Sequence, residues 1–238
     1  MILILTAMPQ ELEAILDSID HPAANSSAGR KVVQGKISGH PVALSFSRWG
    51  KVAAASTAAH LITVLKPRQI VFSGIAGALI DDLAIGDVVF ADDLYQHDLD
   101  ASPFYPPAHI PLLERSALPA DRALTASLRR AMLDGLGSRA PRTLVGDVAT
   151  GDQVIGTSHQ RERVSVAVPT AVCVDMEGAA VAQVCFEFGV PFACVRMISD
   201  RADESLAPAK VFSLARRSGE RAAVMLRHWL SASGQRTL

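Results

Sequence analysis

Apolar and polar positions along this chain alternate between two periods. Ile2–Leu5 is an unbroken apolar run of strand length, as expected for a strand covered on both faces. From about Pro9 the spacing changes: Leu12, Ile15, Leu16 and Ile19 fall on one helical face, with proline in the first turn. Lys31–Ile37 and Pro41–Phe46 read as a strand pair that turns at Ser38-Gly39-His40. Lys51–Leu65 is alanine-rich and predicts a helix. Gln69–Ser73 predicts a short strand ending in Gly74-Ile75-Ala76-Gly77, and Asp87–Ala91 another. The stretch from about His97 to Arg115 is loop-like, broken by Pro103, Pro106, Pro107 and Pro111. Beyond it the pattern predicts helices over roughly Arg122–Leu133, Gly178–Phe188 and Ala209–Leu230. It predicts strands over Leu144–Thr150, Ala171–Val174 and Phe192–Ser199.

Strands alternating with helices imply an α/β fold: a central mixed sheet flanked by helices on both faces. A length of 238 residues fits one domain spanning 1–238, with no repeat or low-complexity tract to divide it. Hydrophobic residues make up 49% and charged residues 20%, the balance of a folded globular chain and not of a disordered one. A net charge of −1 gives no electrostatic case for a nucleic-acid partner. No apolar run is long enough to suggest a membrane span. The apolar start, Met1 to Leu5, lacks a basic leader and runs into Glu11 and Glu13, so it reads as a strand and not as a signal peptide. Cys173, Cys185 and Cys194 sit in apolar runs and read as buried, reduced thiols of a cytoplasmic protein.

In open α/β sheets ligands bind at the carboxyl ends of strands, which directs attention to four segments. These are Thr6-Ala7-Met8-Pro9-Gln10-Glu11, Ser73-Gly74-Ile75-Ala76-Gly77, Val174-Asp175-Met176-Glu177-Gly178 and Arg196-Met197-Ile198-Ser199-Asp200. Glu11, Glu177 and Asp200 could converge at one mouth of the sheet beside a glycine-lined backbone. Cleavage of a glycosidic bond asks for that inventory. Its oxocarbenium-like transition state needs nearby anions, the leaving group needs an acid, and the attacking water needs a base. Each carboxylate alone has a plainer explanation. Glu11 suits the first turn of a helix, Glu177 could cap the helix after it, and Asp200 could be a turn acid before Arg201-Ala202-Asp203. The case rests on their coincidence.

Other candidates are weaker. His97-Asp98-Leu99-Asp100 has metal-ligating residue types but no companion ligands at a telling spacing, and reads as a polar loop. Cys185, in Val181-Ala182-Gln183-Val184-Cys185, suits a core thiol. Ser73 lacks the nucleophile elbow of esterases, and no phosphate-cradling loop of the nucleoside-triphosphate type is present.

Taken in order, these segments resemble the 5′-methylthioadenosine/S-adenosylhomocysteine nucleosidases of the purine and uridine phosphorylase superfamily. The resemblance is carried by Ala7-Met8-Pro9-Gln10-Glu11, Gly50-Lys51-Val52-Ala53-Ala54-Ala55, Gly74-Ile75-Ala76-Gly77, Gly86-Asp87-Val88-Val89, Thr150-Gly151-Asp152, Val174-Asp175-Met176-Glu177 and Arg196-Met197-Ile198-Ser199-Asp200. It spans nearly the whole chain and is weakest from about Pro103 to Pro141. It implies a nucleoside phosphorylase-like fold and hydrolysis of 5′-thio-substituted adenosines. It further implies a cytoplasmic homodimer in methionine salvage, with a small nucleoside as substrate and no metal or other cofactor. By the same resemblance Glu11 would activate water, Asp200 would protonate adenine N7, and Ser199 would orient Asp200. Glu177 would hold the ribose hydroxyls, Met176 would pack on the sugar, backbone groups near Ile155 would read adenine, and Ala76 and Gly77 would line the cleft. The chain departs from the family pattern at Pro9-Gln10, where acids are usual, and at Arg48-Trp49, where smaller apolar residues are usual. The second departure bears on the 5′ substituent, as does the proline-rich stretch Ser102–Pro111, which could cover a neighbouring subunit's pocket. A futalosine-type nucleosidase, a nucleoside phosphorylase with Arg48 or Arg196 as anion ligand, and a non-catalytic nucleoside-binding module are the rival readings.

Overall fold

The first strand resolves the two periods of the sequence. In the computed structural model, which describes residues 1–203 and 208–234, Ile2 and Ile4 enter one apolar core while Leu3 and Leu5 enter another. Successive strand side chains point to opposite faces, so a strand that is apolar at every position must lie between two layers. The chain order is β1 (Ile2–Thr6), α1 (Pro9–Leu16), β2 (Asp20–Ser27), β3 (Arg30–Ile37), β4 (His40–Phe46), α2 (Lys51–Leu65), β5 (Gln69–Ala78), β6 (Val88–Gln96) and β7 (Leu118–Pro119). It continues with α3 (Arg122–Leu136), β8 (Thr143–Thr150), α4 (Ser158–Ala167), β9 (Ala171–Asp175), α5 (Gly178–Phe188), β10 (Phe192–Asp200) and α6 (Pro208–Gly234).

All ten strands join one mixed sheet, ordered β10-β6-β8-β9-β5-β1-β4-β3-β2, with β7 on β6. A further pairing of β10 with β5 closes β5, β10, β6, β8 and β9 into a ring, and β1, β4, β3 and β2 extend from it as an open sheet. One face carries α1, α3 and α6, where Leu12, Leu128 and Leu226 pack on Ile4, Val71 and Phe90. The other carries α2 and α5, where Leu61, Ala58 and Val181 pack on Leu5, Phe72 and Cys194. The mixed sheet flanked by helices, and the buried unpaired state of Cys173, Cys185 and Cys194, agree with the sequence reading. Among the described residues, no helix is long and apolar enough to cross a membrane.

Several boundaries differ. Ile19 is buried but lies beyond α1, which ends at Leu16 and is followed by a turn bonded from Ile19 N–H to Leu16 O. The strand expected to stop at Ser73 continues to Ala78, because its glycines hydrogen-bond on to β10 and β9. The strand placed at Asp87–Ala91 likewise runs to Gln96 along β8. Three elements had no signal; β7 is only the two residues Leu118–Pro119. β2 is exposed along nearly its whole length, so no alternation marks it, and α4 buries only Val164.

Helix α6 crosses α1 at very short range. A Cβ at Gly219 would stand 2.2 Å from the Glu11 carbonyl oxygen. Alanine ordinarily favours a helix over glycine by about 1 kcal/mol, but here it must push α6 off the α1 backbone. Overpacking of that kind costs about 1–3 kcal/mol. Gly219→Ala is therefore expected to lower the melting temperature by several degrees, at about 2–4 °C per kcal/mol for a chain of this size. Calorimetry checks it, and an unchanged or raised Tm would show that the helices separate freely.

Candidate active site

The site forms where β5 changes partner. β1 pairs with Gln69–Phe72, β9 with Gly77 and Ala78, and β10 with Ile70 through Gly77. Since β10 overlaps both, β1 and β9 share the opposite edge. Between them, residues 73–76 have no strand partner on that side. A cavity of about 280 Å³ opens there, a volume near the lower end for small-molecule sites.

Glu11 fills the vacated edge. It sits on the first turn of α1 and is buried; its Oε2 accepts from the N–H groups of Ala7 (2.9 Å) and Met8 (3.0 Å). Its Oε1 accepts from Ile75 N–H at 3.1 Å, a donor that the departure of β1 leaves open. The helix-terminal acid of the plain reading is thus also a buried carboxylate at the cavity. A carboxylate offers about four acceptor positions, three are taken, and one remains toward the cavity. Burial pushes the Glu11 pKa up to about 7, against the charge of Arg196 and the three backbone donors. Arg196 is close: a Cβ at Gly74 would lie 2.9 Å from Glu11 Oε1 and 3.1 Å from Arg196 Nη1, so only glycine leaves both groups in place.

Asp200 owes its aim to a bulge. The β10–β5 register shifts between Ile198 and Asp200, leaving Ser199 out of the ladder; bulges beside sites re-aim side chains in this way. Asp200 Oδ1 accepts from Ala202 N–H at 2.8 Å, the turn bond expected of an aspartate there. Asp200 Oδ2 lies 2.6 Å from Ser199 Oγ, which is also 3.2 Å from Ala76 O. A hydroxyl has one proton and can still accept. Ser199 can therefore donate to an ionised Asp200, or donate to Ala76 O and accept from a protonated one.

Glu177 does not cap the helix after it. Asp175 does so, accepting from Gly178 N–H at 2.9 Å and from Thr150 Oγ1 at 2.5 Å. Glu177, so released, lines the cavity and accepts from Gly50 N–H at 2.8 Å. Burial, and then the charge of Asp175, raise its pKa. Asp175 also takes Arg196 Nε at 2.7 Å, while the guanidinium lies 4.2 Å over the Phe72 ring. Both side chains of this ion pair are 1% exposed. Removing one partner of such a pair costs about 3–5 kcal/mol, so Arg196 is held rigidly and charged beside Glu11.

The remaining expected residues also meet at this cavity: Ala76, Gly77, Ile155 and Met176 line it with Ser199. Its mouth is formed by Trp49 and by Val211 and Phe212 of α6. Sequence reasoning gave no role to Asp175, Val211 or Phe212. The signal for Asp175 was its place two residues before Glu177, where a helix start needs an acceptor. Arg48 is not among the cavity residues; its guanidinium donates to Gly29 O at 3.2 Å. His97-Asp98-Leu99-Asp100 gathers no metal-binding group among the described residues.

The chain matches the family model described as the phosphorylase superfamily over residues 1–231. The 5′-methylthioadenosine/S-adenosylhomocysteine nucleosidase of Shewanella halifaxensis is 34% identical over 84% of this chain and 86% of its own. That of Staphylococcus aureus (strain JH9) is 34% identical over 85% and 87%. The chain belongs to the 5′-methylthioadenosine/S-adenosylhomocysteine nucleosidases. Solved structures agree with this nucleosidase family. The Neisseria meningitidis enzyme, in complex with methylthio-immucillin-A, superposes with a TM-score of 0.89 at 27% identity, over 97% of this chain and 98% of that one. The futalosine hydrolase of Helicobacter pylori superposes with a TM-score of 0.86 at 30% identity, over 97% of each chain.

In a nucleosidase site of this geometry Glu11 can accept a proton only when ionised. With its pKa raised to about 7, the ionised fraction falls as pH drops through neutrality. The expected result is that kcat/KM for a cleaved nucleoside declines about tenfold per pH unit as pH falls below about 7. A pH–rate profile with no inflection near neutrality would remove Glu11 as the base.

Proposed function

We propose that this protein is an N-ribosyl hydrolase that releases adenine from 5′-thio-substituted adenosines, 5′-methylthioadenosine and S-adenosylhomocysteine. The observation that carries the reading is Glu11, buried at the open edge of β5 with one acceptor position free and Arg196 beside it. Water held there loses a proton to Glu11 as its oxygen bonds to C1′. The C1′–N9 bond breaks, its electron pair goes to the base, and Asp200 delivers a proton to N7. Glu11 ends protonated and Asp200 ionised, so one net proton returns through solvent before the next turnover. Ser199 accommodates Asp200 in both states by turning its hydroxyl. Glu177 accepts from the ribose hydroxyls, Met176 packs on the sugar, Ala76 and Gly77 admit the flat base, and backbone groups near Ile155 read its edge.

Charge separates water from phosphate as the acceptor. Arg196 is already paired with Asp175, and the reaction needs Glu11 ionised beside it, so no free cation faces an incoming anion among the described residues of the cavity. A phosphate dianion would meet repulsion of about 1–4 kcal/mol per unit charge pair at contact distance. The apolar mouth at Trp49, Val211 and Phe212 suits a thioether at the 5′ position. We further propose that the chain forms one domain over residues 1–238 and acts as a homodimer in the cytoplasm, in methionine salvage. Outward-facing Phe104 and Leu112, 86% and 88% exposed, are apolar surface that a second copy could cover.

Adenine release from 5′-methylthioadenosine, S-adenosylhomocysteine and a futalosine-type nucleoside tests the reading. The thio-substituted substrates are expected to give free sugar at full rate without phosphate. A strict phosphate requirement, with sugar 1-phosphate as product, would move the protein to the phosphorylases. Asp200→Asn is expected to lower kcat by about 10²–10⁴-fold with adenine still bound and Tm unchanged. Full activity in that variant would give the acid role to another group.

A further inference from the structure

Three residues close a ring of hydrogen bonds outside the reacting centre. Lys51 N–H donates to Asp152 Oδ1 at 2.7 Å, Asp152 N–H donates to Asp98 Oδ2 at 2.8 Å, and Lys51 Nζ donates to Asp98 Oδ1 at 2.5 Å. Lys51 Nζ is also 3.3 Å from Gln96 Oε1, and Gln96 Nε2 donates to Gln183 Oε1 at 2.7 Å, which ties the ring to α5. The side chains of Lys51 and Asp98 are 17% and 28% exposed, too covered for a freely solvated surface pair. Partial burial pushes the Asp98 pKa up, but the Lys51 ammonium and the Asp152 N–H outweigh it and hold the carboxyl below the usual range.

The position of the ring gives it a task. Lys51 opens α2, and the residue before it, Gly50, gives its N–H to Glu177 at 2.8 Å. Asp152 immediately precedes Gln153, Val154 and Ile155, which form a wall of the cavity. Asp98 lies two residues past the end of β6 and bonds to both segments. Without it, the start of α2, which holds Glu177 through Gly50 N–H, keeps the bond from Lys51 N–H to Asp152, while the wall's own tie to β9 is the bond from Gly151 N–H to Asp175 O, before residues 153–155 begin. A solvated Lys–Asp pair contributes little to stability, about 0–1 kcal/mol. An anion that accepts from a backbone N–H on one wall and an ammonium on the other fixes the spacing between them.

We propose that Asp98 is a positioning residue for substrate binding, holding the base-side wall at residues 153–155 in register with the start of α2, where Gly50 N–H binds Glu177. It touches neither substrate nor reacting atoms and acts through Lys51 and Asp152. The inference rests on the reading of the cavity as an adenine nucleoside site. It also gives the His-Asp-Leu-Asp segment a role that needs no metal.

The test is titration calorimetry with free adenine, together with steady-state kinetics on 5′-methylthioadenosine, for wild type, Asp98→Ala and Asp98→Asn. Asp98→Ala is expected to weaken adenine binding and raise KM by about tenfold each, the scale of one lost charge-assisted hydrogen bond. Its kcat and Tm should change little. Asp98→Asn keeps one acceptor oxygen and should fall between wild type and Asp98→Ala; it also serves if the alanine variant fails to fold. Either folded variant with wild-type adenine affinity and KM would overturn the proposal, as would a loss confined to kcat. A wild-type protein that neither bound nor released adenine would overturn the reading of the cavity, and this inference with it. Normal wild-type behaviour with unaffected variants would overturn the inference alone.

Discussion

The site depends on one unfilled stretch of strand edge. Buried backbone N–H groups must find partners, and β5 loses β1 after Phe72 before it gains β9 at Gly77. The N–H of Ile75 is left facing the interior, and a carboxylate from the first turn of α1 takes it. That bond draws Glu11 inside, where loss of water lifts its affinity for protons into the range useful at neutral pH. The same interruption makes the cavity. The sheet's hydrogen-bond accounting therefore creates both the space and the buried carboxylate within it.

The opposite charge requirement is met by a pair that reacts with nothing. Asp175 anchors Arg196, and through its bonds to Gly178 and Thr150 it also anchors the start of α5 and the end of β8. One buried carboxylate thus frees Glu177 from capping duty and fixes a guanidinium near Glu11. It lines the cavity and also acts there through its neighbours, so a motif of isolated residues understates it.

The sequence showed what periodicity and strand-end position encode. β1, β4 and β10 were legible because residues buried on both faces leave unbroken apolar runs. Glu11, Glu177 and Asp200 were legible because each lies at or within a few residues of the carboxyl end of a strand. β2 was illegible because an exposed edge strand has no core to impose alternation. β5 was cut short because its glycines resemble a turn when read alone, whereas here they keep the backbone close to Glu11, Arg196 and Asp200. Val211 and Phe212 reach the mouth only through the docking of α6, a long-range event that no local pattern records.

The ring closure of the sheet has a consequence for how the protein behaves when crowded. Strand edges recruit other chains, yet pairing of β10 with β5 turns one end of this sheet back on itself, which leaves β2 as the terminal strand in the sheet order. That edge is poorly suited to templating. Its register against β3 breaks between Asp20 and Ala23, His21 adopts a left-handed conformation with φ 53°, and Pro22 has no N–H to offer. A neighbouring chain that approached this terminal strand would thus meet a ladder broken at its start, in a sheet whose other end is closed on itself.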